Sequence, residues 1–297
     1  MLLDGWADAA SAYTVAVEPL AKGLPRRIRR RADGGLMVLI PSGVFTMGRG
    51  LADARFDAGP DAAPDVQVEI SRAYFMDETE VTHAQWARFL ASKDGQGVGS
   101  GSRDGDGSSP VTGVAFEDAR RFATWVGCRL PTEAQWEWAA RAGREQAAIW
   151  PYDLEPDDVA GATGPSGPPR YWTGSFADGP SRVGRYAPVH WGVFDLAGNA
   201  SELCRDAYAP DFYQRALGSP RVDPVCESED ASAPRVVRGG SWFEDRRDLR
   251  VFARSSTARS DARGIGFRCV REVAWRLRVG VPAAEERRRA TEDERPR

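Results

Sequence analysis

Residues 235–269 read RVVRGGSWFEDRRDLRVFARSSTARSDARGIGFRC, and this stretch holds the side chains best suited to chemistry or recognition. Ser241 offers a hydroxyl, and Glu244 and Asp245 offer carboxylates. Trp242, Phe243, Arg246, Arg247, Arg250, Phe252 and Arg254 supply interleaved aromatic and cationic groups. A serine nucleophile needs a base that is itself held by a third group. The two histidines, His83 and His190, lie in separate segments, so Ser241 has no evident triad. The four cysteines, Cys128, Cys204, Cys226 and Cys269, form no C-x-x-C pair, which excludes the common zinc and thiol-redox motifs. Arginine and aromatic residues are what protein and peptide recognition favours. The expectation is therefore a ligand-binding groove built from Ser241, Trp242, Glu244, Asp245, Arg250 and Arg254. The alternative is that these arginines form the polar face of a strand.

The segments that must position this stretch are short. Leu36–Gly48 reads as two strands around a Pro-Ser-Gly turn, and Val66–Met76 as one alternating strand. Thr82–Ser92 reads as a helix capped by Thr82 with Gln85 three residues on, and Thr132–Ala142 carries the same capping box through Thr132 and Gln135. Phe116–Val126 is a third amphipathic helix. Trp136 and Trp138 are read as core anchors. The paired Gly239 and Gly240 allow a turn closed to other residues, and Arg268 is expected to meet a buried carboxylate, Glu133 or Glu137. Residues 151–182 and the Gly/Ser/Asp run of Lys93–Ser109 read as loops.

The chain has 297 residues, 42% hydrophobic and 28% charged, with a net charge of −3. These values fit one soluble α+β domain of low regular content, and they give no basic field for nucleic acid. No apolar run is long enough for a membrane span, and the acidic N-terminus lacks signal-peptide character, so a cytoplasmic location is expected. In that setting the cysteines are expected to be free thiols. Residues 1–35, with the basic run PRRIRRR, are expected to be a solvated extension. Residues 36–272 are the expected domain, and the mixed-charge residues 273–297 a disordered tail.

Four blocks in order carry a resemblance: MVLIPSGVFTMG with YFMDETEVTHAQWARF; PVTGVAFEDARRFATWVGCRLPTEAQWEWAARAG; VGRYAPVHWGVFDLAGNASELCRDAY; and RVVRGGSW…GIGFRCVRE. Together they resemble the formylglycine-generating-enzyme, or sulfatase-modifying-factor, family. The resemblance implies a single C-type-lectin-like domain with little regular secondary structure. It also implies a copper-binding cysteine pair that oxidises a cysteine in a sulfatase peptide. On that pattern the two cysteine positions fall on Glu244 and Leu249, a histidine position on Asp245, and an asparagine position on Gly264, while Ser241 is kept. Copper(I) needs soft thiolates, so copper is not expected. The resemblance further implies structural calcium at DLAGNASEL, with carbonyls of Ala197, Gly198 and Ala200 and the Glu202 side chain as ligands, and Asn199 bracing the turn. The plain alternative there is an Asn-stabilised turn with an exposed Glu202. Iron-dependent relatives take three histidines, largely from an added helical domain, which two histidines here cannot match.

Two functions follow as expectations. One is a non-catalytic binding module that takes a protein or peptide partner, without nucleic acid or membrane, through the groove near residues 241–254. The other is a divergent oxidoreductase acting on a peptide or small thiol with altered metal chemistry. Hypervariable binding proteins of the same wider fold place their variable surface in this segment.

Overall fold

The computed structural model describes residues 13–15, 25–48, 65–102, 106–143, 179–186, 188–216, 221–244, 246–258 and 262–273. The chain is α+β, with three helices and three small sheets among these residues.

Strands β1 (Tyr13–Val15), β2 (Arg27–Arg30), β3 (Leu36–Ile40), β6 (Tyr74–Asp77) and β12 (Val270–Glu272) form a five-stranded antiparallel sheet in the order β1-β2-β3-β6-β12. Both faces of its central strands β3 and β6 are largely buried. Successive residues of β3 and β6 serve two cores, as the two-residue strand period requires. Met37 and Phe75 join one core, with Trp86, Phe89, Phe122 and Phe267; Val38, Tyr74 and Met76 join the other, with Trp136 and Trp138. The first core has an aromatic cluster at its centre, with Phe122 edge-on to Phe267 at 5.4 Å and stacked on Trp86 at 5.7 Å.

The domain starts earlier than residue 36. The basic run is a strand rather than a solvated extension, because Ile28 and Arg30 point inward while Arg29 points out. Arg30 is buried between Asp33 (2.7 Å) and Asp77 (2.8 Å), so its charge is matched inside the protein. Val66–Met76 also differs from expectation. It is two strands, β5 (Val66–Ile70) and β6, in different sheets. They part at Ser71, whose amide and hydroxyl are both held by Asp223.

Helices α1 (His83–Leu90) and α3 (Glu133–Arg141) begin with complete capping boxes at Thr82/Gln85 and Thr132/Gln135. Helix α2 (Phe116–Trp125) has no side-chain cap. The second sheet, β4 (Gly43–Met47), β5 and β8 (Arg221–Val222), closes one side of the tryptophan core. The third sheet has the order β10-β9-β7-β11: β10 (Ser255–Ser256), β9 (Arg235–Arg238), β7 (Ser201–Ala207) and β11 (Ile265–Gly266). It carries both of the segments that the sequence singled out. No helix among the described residues is long and apolar enough to cross a membrane.

Candidate functional site

Strand β7 brings the two candidate regions together. Glu202 is in register with Arg238 of β9 on one side and Gly266 of β11 on the other. The loop before it turns through three left-handed residues, Asp195 (φ 57°), Gly198 (φ 92°) and Asn199 (φ 62°). This loop is tied to the Gly-Gly-Ser-Trp turn, because the Gly198 amide donates to Gly239 and the Trp242 amide donates to Asn199. The Asn199 side chain links two further segments. It accepts from the Ser181 amide at 2.9 Å and donates to Glu80 at 3.0 Å.

Glu202 is fully buried rather than exposed. Both of its oxygens accept from Arg268 at 2.6 Å, and one also accepts from Trp136 Nε1 at 2.8 Å. Arg268 further donates to the carbonyls of Asp77, Glu78 and Phe194. Arg268 thus pairs with neither Glu133 nor Glu137. Those two carboxylates, at the start of α3, are occupied by Arg238, Arg254 and Arg141.

Two carboxyls beside this pair have fewer partners. Glu80 Oε1 accepts from Asn199 and the Ala200 amide, while its buried Oε2 meets no donor. Asp195 accepts from the Gly184 amide at 2.6 Å. Burial pushes both carboxyls above their ordinary range; Asp195 raises Glu80 further, whereas a hydrogen bond with Glu80 holds Asp195 down. Three carboxyls, Glu80, Asp195 and Glu202, therefore surround a single guanidinium. A shared proton between Glu80 and Asp195 is one way to balance them, and a divalent cation is another. Among the described residues no three His, Cys, Asp or Glu side chains are set as a metal cluster, so any cation here must lean on loop carbonyls. The sequence reading missed Glu80 and Asp195. Glu80 lies two residues before the Thr82 cap, and Asp195 opens the DLAGN loop, which was the available signal.

At the other end of the site, Gly239 and Gly240 are both left-handed, at φ 90° and 68°. A Cβ on Gly240 would lie 2.6 Å from Leu249 Cδ2, so the turn requires glycine. Ser241 is fully buried, and its amide donates to Glu244 Oε2 at 2.7 Å. The Ser201 hydroxyl donates to the same oxygen at 2.7 Å. The Ser241 hydroxyl has no partner among the described residues, and Gly264 leaves the space beside it, where a Cβ would come within 2.7 Å. Ser201, Ser241, Glu244 and Gly264 are therefore one constellation.

The rest of the expected groove turns inward. Trp242 is 6% exposed and meets Phe243 edge-on at 4.9 Å. The Arg254 side chain is 3% exposed, binds Glu133 through two bonds of 2.6 and 3.0 Å, and lies over Tyr208 and Tyr213. Arg250 is 5% exposed and lies over Phe252. A void of about 10 Å³ between Ser201, Glu244, Asp248 and Arg254 has room for roughly one water. Trp242, Arg250 and Arg254 are thus buried rather than lining an open groove, and the carboxylate that Arg254 binds, Glu133 on α3, is distant in sequence. Phe243 is what faces solvent, with Arg263 over its ring at 5.6 Å. Asp245 lies outside the described residues, as do residues 151–178 of the irregular loop.

A sequence model described as the sulfatase-modifying factor enzyme 1-like domain matches residues 23–273. The chain belongs to the formylglycine-generating-enzyme family. It is 32% identical to the formylglycine-generating enzyme of Streptomyces coelicolor, a match covering 90% of this chain and 96% of that one. Its fold is similar to that of PvdO from Pseudomonas aeruginosa, with a TM-score of 0.69 at 23% identity over 87% of this chain and all of that one. It is similar also to Treponema denticola variable protein 1, with a TM-score of 0.60 at 21% identity over 80% and 95%. The two positions onto which the resemblance carries the family's cysteine pair are Glu244, whose carboxylate is engaged by two donors, and Leu249, which is fully buried. Neither supplies a thiolate, so copper(I) does not fit these residues. Cys128, Cys204 and Cys269 are buried elsewhere, and burial raises the thiols of Cys204 and Cys269.

Proposed function

We propose that this chain is a non-catalytic binding module on the formylglycine-generating-enzyme scaffold, taking a protein or peptide partner at the face around Phe243. The observation that carries this reading is the replacement of the redox pair. Glu244 now serves as an internal acceptor that holds Ser201 and the Ser241 turn together, and Leu249 packs under Gly240. The site's most reactive positions have become structural. Phe243, at 38% exposure, is a large apolar side chain left at its surface, and arginine-flanked aromatics serve as interface anchors. The test is incubation of the purified protein with a sulfatase-type cysteine peptide, with and without copper, followed by mass spectrometry. No conversion to formylglycine is expected. Loss of the peptide's sulfur would replace this reading with that of a divergent oxidoreductase.

The same scaffold supports structural calcium as part of the proposal, with revised ligands. Glu80 and Asp195, with loop carbonyls of Gly198 and Ala200, would hold the ion, while Glu202 stays with Arg268. Calcium takes six to eight oxygens, and it would supply the positive charge that three carboxyls and one guanidinium lack.

A further inference from the structure

A hollow of about 410 Å³ is bounded by Ala262 and Ile265, and Phe243 is not among its lining residues. Its floor is Val114, Phe116 and Ile265, and its walls are small residues: Gly113, Ala115, Ala233 and Ala262. Its volume falls in the range of ligand sites. One cation lines it. The Arg235 guanidinium stacks on Phe116 at 4.3 Å, its Nη1 donates to the Arg205 carbonyl at 3.4 Å, and its Nε is buried with no hydrogen-bond partner among the described residues. Two acidic neighbours, Glu117 and Asp230, have partners of their own. Glu117 is bound by Arg120 at 2.9 and 2.5 Å, and Asp230 accepts from the Ser232 amide and hydroxyl at 2.8 and 2.6 Å. An apolar floor with one guanidinium that meets no carboxylate among the described residues matches a carboxylate carried on an apolar body. The hollow also opens outward past exposed Ala231, Ser232 and Thr257, beside β10, which is the edge strand of its sheet. An extended chain can leave the hollow there, which favours a peptide over a free acid.

We propose that this hollow binds the C-terminal residue of a peptide, with the carboxylate on Arg235 and an apolar last side chain against Val114, Phe116 and Ile265. The site is separate from the face around Phe243 and does not depend on it.

The experiment titrates the full chain, by calorimetry, with three probes: N-acetyl-Gly-Ser-Leu as the free acid, the same peptide as its C-terminal amide, and 4-methylpentanoate. The free-acid peptide is expected to bind saturably, and the amide about tenfold or more weaker, since a charge-assisted bond is lost. Arg235→Gln should weaken the free-acid peptide by about tenfold or more while leaving the amide unchanged. Ala233→Phe, which fills the hollow without touching the charge, should abolish binding in a protein that still melts cooperatively. It keeps the test decisive if Arg235→Gln folds poorly. Phe243→Ala should leave binding intact. Equal affinity for acid and amide, no saturable binding of the free-acid peptide, or loss of binding in Phe243→Ala would overturn the proposal. Binding of 4-methylpentanoate as tightly as the peptide would overturn it in favour of a small-acid site.

Discussion

Glu80→Gln and Glu202→Gln separate the two roles that carboxyls play around Arg268. In Glu202→Gln, a fully buried guanidinium loses a bidentate partner held at 2.6 Å. Leaving one member of a buried pair uncompensated costs about 3–5 kcal/mol. At roughly 2–4 °C per kcal/mol for a domain of this size, the melting temperature should fall by about 6–20 °C. The fall should occur in chelator as well as in calcium, because it arises from Arg268. Glu80→Gln is different. Its amide oxygen can still accept from Asn199 and Ala200, and burial already disfavours the charge that the substitution removes. The chelated protein should therefore melt close to the parent. What it should lose is the calcium increment, about 2.7 kcal/mol when calcium is at a hundred times its dissociation constant, or about 5–10 °C. Differential scanning calorimetry of the parent and both variants, each in EDTA and in calcium, gives all six numbers. If Glu202→Gln is silent in EDTA and loses only the calcium increment, Glu202 is the ligand and the reassignment to Glu80 and Asp195 is wrong. A parent that ignores EDTA would remove calcium from the account altogether.

Trp242→Ala and Phe243→Ala should diverge: the first loses about 3–5 kcal/mol of stability through a core cavity, and the second leaves the melt unchanged while abolishing capture of a partner at that face. Equal melting of the two variants would contradict the burial seen for Trp242. Gly240→Val should be strongly destabilising, because φ is 68° and Leu249 already fills the position a Cβ would take; a melt within about 1 °C of the parent would refute that reading of the turn, since most strained substitutions cost more. Asp206, buried and beside Glu133, is pushed up to about 7. The folded protein then holds a proton that the unfolded chain releases near pH ~4. Unfolding between those values releases that proton, so this group's contribution to stability is largest below pH ~4 and is lost as pH rises through about 7. The difference in stability between the parent and Asp206→Asn should therefore shrink from pH 5 to pH 7.5 in urea titrations, and a constant difference would refute the assignment.

What the sequence could reveal divides along the range of the forces involved. Capping boxes at Thr82/Gln85 and Thr132/Gln135 are local, so two helices were placed almost to the residue. The glycine turn at Gly239 and Gly240 was legible for the same reason, since a left-handed backbone is a single-residue property. The arginines were not legible, because a guanidinium looks the same in sequence whether it faces water or a carboxylate. Arg30 reads as part of a basic tail until Asp77 arrives on β6, and Arg254 reads as a recognition residue until α3 brings Glu133 within 2.6 Å. In a domain with so little regular structure, buried ion pairs do the joining that long helices and strands do elsewhere. Arg238 and Arg254 fasten β9 and the segment beyond it to α3, and Arg268 fastens the last strands to the Asp195–Glu202 loop. None of these ion pairs involves Glu244 or Leu249, where the resemblance puts the family's cysteine pair; Glu244 is instead a smaller tie of its own, joining Ser201 to the Ser241 turn. The segment from Gly239 to Arg254 thus keeps its shape through buried ion pairs and the Glu244 contacts, with no thiol taking part among the described residues.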